Sequence, residues 1–132
     1  MIKNRFVLDT NAVIFITKMN SAIPADLEKE LNDADLFISI ITEIELFSKS
    51  GLPPDEEKNL RAFLSDRISI IDITDEIKKE TITLRRTVKH KLPDCIVAAT
   101  AIVLNTTLLT ADEKLLHLKW QGLNLRNISH AQ

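Results

Sequence analysis

Short apolar runs alternate with stretches of helical periodicity along this whole chain, and that alternation restricts it to a parallel α/β sheet more firmly than any other feature. Arg5–Leu8, Leu36–Ser39, Ile68–Ile73, Leu108-Leu109 and Leu123–Ile128 are short and rich in Val, Ile, Leu and Phe, the composition of strands. Ile68–Ile73, with its β-branched residues, is predicted to be a buried strand, and Leu123–Ile128 an edge strand. Between them lie a short apolar segment, Ala12–Ile16, and a helix after Pro24 with Leu27 and Leu31 on one stripe. A further helix is predicted from about Ile41 to Ser50, stopped at Gly51 ahead of Pro53-Pro54. Asp55–Leu64 follows, with Leu60, Phe63 and Leu64 facing inward. In Asp75–His90 the residues Ile77, Thr81, Leu84 and Val88 recur at steps of four, three and four, which is one helical face. Asp94–Leu104 is apolar nearly all round, with Pro93 fitting its first turn, and Asp112–Leu118 is a short last helix. Strands joined through helices form crossovers, which predicts a central, mainly parallel sheet with helices on both faces. No repeat, low-complexity stretch or linker interrupts the pattern, so residues 1–132 read as one domain.

The bulk composition is that of an ordinary globular protein, 45% hydrophobic and 27% charged. Net charge is −2, which excludes a module that grips nucleic acid through a general basic coat. It leaves room for a nuclease, where a bound cation supplies the positive charge at an acidic site. No run approaches the ~18–20 apolar residues of a membrane span. Met1–Arg5 passes directly into a strand pattern with no secretory leader, so the expected location is the cytoplasm, without a membrane association. The single cysteine, Cys95, cannot make an internal disulfide.

Asp9, Glu45, Asp94 and Asp112 each sit where an apolar strand ends or a helix begins. In an open parallel sheet those junctions converge on one crevice. Each acid also has a structural alternative. Thr10 or Asn11 can cap the following helix, leaving Asp9 a solvated turn residue. Glu45 follows Thr42 by three, and Glu113 follows Thr110 by three, the spacing of a capping box that leaves Asp112 a first-turn acid. Asp94 beside Pro93 suits the positive end of a helix dipole. Glu43 and Glu45 are split by about 200° of helix rotation, so only one can face a given site.

Four acids at four separate junctions exceed what capping demands. Two carboxylates ~5 Å apart at an effective dielectric near 20 repel by roughly 3 kcal/mol. Either the carboxylates therefore bind a divalent cation, or some of them hold protons, or they are not clustered. Oxygen-only donors favour Mg²⁺ or Mn²⁺ over zinc, and His90, His117 and His130 show no ligand spacing to one another. The only dense basic run, Arg85 to Lys91, carries Arg85, Arg86, Lys89 and Lys91 as candidate phosphate contacts; its alternative is a helix end whose cations complement the dipole. Trp120 reads as a packing or interface residue, with base stacking as its alternative, and Cys95 as a small buried hydrophobe.

The chain resembles the PIN-domain proteins of the VapC type, toxins of type II toxin–antitoxin pairs. The resemblance rests on Val7-Leu8-Asp9-Thr10-Asn11, on Ile38 through Leu46 with Thr42, Glu43 and Glu45, on Leu92-Pro93-Asp94-Cys95 with the following Ile96 to Ala101, and on Leu109-Thr110-Ala111-Asp112. It covers nearly the whole length and implies a three-layer α/β/α PIN-like fold. It also implies a Mg²⁺- or Mn²⁺-dependent endoribonuclease. Asp9 and Asp94 would be its principal metal ligands, Glu45 a ligand or the orienter of the attacking water, and Asp112 a second-site ligand. Glu45 rather than Glu43 matches the family glutamate, while Thr10, Asn11 and Thr110 match polar positions that support the acids. A VapB-like antitoxin partner and a homodimer are implied as well. Two departures from the pattern stand out: Leu115-Leu116 replaces an aromatic after the fourth acid, and His117-Leu118-Lys119-Trp120 is altered. The alternative is a catalytically inactive PIN-fold binding or scaffold module. A haloacid-dehalogenase-like phosphotransferase ranks lower, because Asn11 stands where that chemistry needs a second acid.

Overall fold

The computed structural model describes residues 4–18 and 22–129; Met1-Ile2-Lys3, the start of the N-terminal segment, and His130 lie outside the described residues. Five strands, β1 (Arg5–Leu8), β2 (Asp35–Ser39), β3 (Ile68–Ile71), β4 (Thr107–Thr110) and β5 (Asn124–Asn127), form one sheet in the order β3-β2-β1-β4-β5. Every neighbouring pair is parallel, so the sheet is wholly rather than mainly parallel. Strand residues alternate between two cores, as the two-residue period of a strand requires. Phe6, Leu8, Leu36, Ile38 and Leu109 enter one core, and Val7, Phe37 and Leu108 face the other.

Helices α1 (Thr10–Lys18), α2 (Ala25–Asp33), α3 (Ile40–Phe47) and α4 (Pro54–Arg67) cover the first face through Val13, Leu27, Leu31, Leu46, Leu60 and Leu64. Helices α5 (Asp75–Thr87) and α6 (Leu92–Val103) cover the second, joined by Leu115 of the short α7 (Glu113–Leu116). This is the expected three-layer α/β/α arrangement. The seven residues Cys95 to Ala101 of α6 are all buried, and Ala98, Ala99 and Ala101 let the helix lie close against the sheet.

Several local expectations are corrected. β3 is an edge strand rather than a buried one, with Ile70 40% exposed, because strand composition does not determine strand order. α3 ends at Phe47, where the Ser48 hydroxyl donates to the Ile44 carbonyl and the Ser48 N–H to that of Glu45; Gly51 instead serves the following turn at φ +74°. α5 ends at Thr87 rather than His90, since Val88 is extended. The expected capping boxes are absent. Ser39 caps α3 by accepting from Ile41 N, which leaves Thr42 inside the helix and fully buried. Asp112 caps α7 by accepting from Lys114 N, so it is the cap and not a first-turn acid.

The winding of the sheet places a crevice. From β1 the chain steps through β2 to β3 on one side, then crosses back to β4 on the other side of β1. The carboxyl ends of β1 and β4 therefore flank the point where the winding reverses, the usual location of a ligand crevice in such sheets.

Candidate active site

A cleft of about 870 Å³ opens at that reversal, lined by Asp9, Thr10, Asn11, Glu45, Asp94 and Asp112 together with Lys89, His90, Lys91, Lys114 and His117. The four acids named from sequence reach it from four elements: the end of β1, the body of α3, the first turn of α6 and the cap of α7; Glu45 is thus not at a junction, because α3 begins at Ile40, five residues before it. Glu45 lines the cleft and Glu43 does not, as their angular separation on α3 requires.

Asp9 is the most enclosed of the acids, 8% exposed. It is the N-terminal cap of α1 rather than a solvated turn residue. Its Oδ1 accepts from Ala12 N at 2.8 Å and its main-chain carbonyl from Val13 N. Its Oδ2 accepts a hydrogen bond from the hydroxyl of Thr110, the buried last residue of β4. That hydroxyl in turn accepts from Asp112 N at 2.9 Å. One threonine thus holds two acids. On the other side the Thr10 hydroxyl donates to Glu45 Oε1 at 2.9 Å, linking α1 to α3. Asn11 is exposed at the rim.

The electrostatics connect the same residues. Burial, opposed by the hydrogen bonds from Thr110 and Ala12 and reinforced by Asp112 and Asp94, pushes Asp9 up to about 6. Asp94, half-buried, is also raised, first by burial and then by Asp112 and Glu45, with His90 and Lys91 opposing. Neighbouring carboxylates therefore disfavour the charged forms of Asp9 and Asp94, the condition that a bound cation would relieve. Among the described residues, no group of three or more His, Cys, Asp or Glu side chains is close enough to hold a metal ion as placed. The donor chemistry, carboxylate and hydroxyl oxygens on facing elements, nevertheless fits a hard divalent ion that keeps part of its own water shell.

The basic run divides. Lys89 and Lys91 line the cleft, whereas Arg85 and Arg86 lie outside its lining. Arg85 Nη1 donates to the His90 carbonyl at 2.6 Å and so braces the segment between α5 and α6. Lys114 was not named from sequence, and His117 only as a histidine without ligand spacing and in a stretch that departs from the family pattern; the one cue is that Lys114 follows Asp112 by two. Trp120 packs against the second core and donates from Nε1 to Glu80. Cys95 is fully buried, and burial pushes its thiol up, so it is no nucleophile.

A PIN domain family model matches residues 6–121. Among solved structures, VapBC2 from Rickettsia felis, bound to a DNA fragment from its promoter, is 26% identical with a TM-score of 0.76, the match covering 93% of this chain and 98% of that one. A toxin–antitoxin complex from Klebsiella pneumoniae is 28% identical over 89% of this chain and 93% of that one, with a TM-score of 0.67. DNA-bound VapBC from Salmonella typhimurium, at 21% identity, TM-score 0.73 and coverages of 94% and 98%, shares the fold. A search of curated proteins gives no match.

Proposed function

The chain belongs to the PIN domain family, and on that ground we propose that it is a Mg²⁺- or Mn²⁺-dependent endoribonuclease, the toxin of a toxin–antitoxin pair acting in the cytoplasm. The observation that carries this reading is the convergence of Asp9, Glu45, Asp94 and Asp112, from four separate elements, on one cleft. Asp9 and Asp94 would be the principal metal ligands, with Glu45 and Asp112 completing the set. A bound divalent ion supplies a water of lowered pKa and screens the charge of a phosphodiester.

The chain's own residues prepare that chemistry. Two hydrogen bonds fix the Asp9 carboxylate on the rigid start of α1. Thr10 sets the orientation of Glu45, which suits Glu45 to accept a proton from, or align, the attacking water. Thr110 ties Asp112 to Asp9, so the two acids move together. Lys89 and Lys91 offer cations to phosphates of the bound strand. Likeness to the VapBC structures supports a VapB-like antitoxin as partner, and the family resemblance supports a homodimer.

The alternative, a catalytically inactive PIN-fold module, is favoured by the open spacing of the acids. One experiment separates the two. Purified protein is incubated with single-stranded RNA in Mg²⁺, in Mn²⁺ and in EDTA, beside Asp9→Asn and Asp94→Asn. Metal-dependent cleavage lost in both variants supports the nuclease; cleavage retained by either variant, or absent throughout, removes it. Mapping of new RNA ends after induced expression then identifies the target.

A further inference from the structure

A polyanion entering this cleft meets four carboxylates on a chain whose net charge is −2. Local cations must offset that repulsion, and the cleft carries them on two separate elements. Lys89 and Lys91 come from the segment between α5 and α6, which Arg85 braces through the His90 carbonyl. Lys114 and His117 come from α7 and its C-terminal cap. None of Lys89, Lys91 and Lys114 is in an ion pair among the described residues, and Lys91 acts on Asp94 only at longer range.

The second element is held firmly despite its shortness. Leu115, 1% exposed, anchors α7 in the second core, and the Asp112 carboxylate accepts from Lys114 N at 2.9 Å. His117 Nδ1 lies 2.8 Å from the Glu113 carbonyl. A carbonyl only accepts, so Nδ1 is the donor in this contact, which orients the ring and leaves Nε2 without a hydrogen bond among the described residues. Asp112 thus brings with it, on the same rigid turn, a cation and an oriented imidazole.

We propose that Lys114 and His117 form a second substrate contact beside Asp112, so that an RNA strand is held by one basic element on each side of the phosphate to be cut. This rests on the ribonuclease reading and adds a length requirement to it. Nucleotides both before and after the cut contribute to binding, and each flank depends on a different element.

The test measures binding of labelled single-stranded RNA by fluorescence anisotropy across a KCl series, in an Asp94→Asn background that leaves the RNA uncut. Lys114→Ala and Lys91→Ala should each weaken binding several-fold at low salt and each lower the log–log salt slope by about 0.7. Lys119→Ala, exposed but outside the cleft lining, should change neither. His117→Ala should also weaken binding. RNA trimmed from one end should lose its sensitivity to Lys114→Ala alone, and RNA trimmed from the other end its sensitivity to Lys91→Ala alone. If Lys114→Ala behaves like Lys119→Ala, or trimming one end silences both lysines, the second contact is overturned while the ribonuclease reading stands. If the protein binds no RNA at all, the two fall together.

Discussion

The Thr110 hydroxyl donates to Asp9 Oδ2, joining residues 101 positions apart at the ends of adjacent strands. The same oxygen accepts from Asp112 N. A single buried side chain therefore sets the separation of two acids that repel each other, and it lowers the proton affinity of Asp9 against the larger effect of burial. Replacing it alters the site without touching any acid.

Thr110→Val keeps the shape and removes both hydrogen bonds. Asp9 should then bind its proton more tightly, and metal affinity or cleavage should fall by about 10- to 100-fold, the usual cost of losing an outer-shell partner. Thr110→Ser, which restores the hydroxyl, should recover most of the loss. Mg²⁺ titration by calorimetry, alongside cleavage rates, measures both; an unchanged Thr110→Val would show that the hydroxyl does not organise the acids.

Asp9 is raised from 3.8 to about 6, so its protonated form is favoured by folding. Its contribution to stability is full below about pH 4 and is lost as pH rises through 6. Asp9→Asn carries no such loss. In metal-free buffer the variant and wild type should have similar stability at pH 4, and the variant should gain by up to roughly 3 kcal/mol by pH 7. Added Mg²⁺ should raise the melting temperature of the wild type more at pH 7 than at pH 5, and that of the variant little at either. Denaturant melts across pH test the sign directly.

Thr42 Oγ1 is fully buried within α3 and has no hydrogen-bond partner among the described residues. Thr42→Val should therefore be neutral or stabilising by up to about 1 kcal/mol. Ser39→Ala, which deletes the actual cap, should cost about 1 kcal/mol. If the two effects are reversed, the helix starts at Thr42 after all.

Leu115 fills the second core from a helix of four residues. Leu115→Ala should destabilise by about 2–5 kcal/mol. Because Asp112 and Lys114 ride on the same turn, activity measured well below the melting temperature should fall as well. Full activity in a folded Leu115→Ala protein would separate α7 from the site.

The strand β1 lies at Arg5–Leu8 as the sequence indicates, Leu27 and Leu31 are both buried, and α6 is apolar and enclosed along most of its length. These features rest on periodicity and composition, which neighbouring residues alone determine. The junction positions of Asp9, Asp94 and Asp112 were legible for the same reason, each being defined by the strand or helix beside it, whereas Glu45 lies in the body of α3 and meets them through its helix face.

Other features depend on elements distant in the chain. Spacing offered Thr42–Glu45 and Thr110–Glu113 as capping pairs, yet Ser39 and Asp112 are the caps, because packing of α3 and α7 decides where each helix begins. The run Arg85 to Lys91 looked uniform, but the end of α5 at Thr87 leaves Arg85 bracing a carbonyl while Lys89 and Lys91 reach the cleft. Lys114 and His117 carried no local mark that separated them from other exposed charges. The order of residues was enough to specify the alternation of strands and helices and the acids at their junctions, since both follow from local pattern and chain geometry. Which hydroxyl holds which acid, and which cations share their cleft, emerged from the folded arrangement alone, since both depend on β4 returning beside β1 across a hundred or so residues of intervening chain.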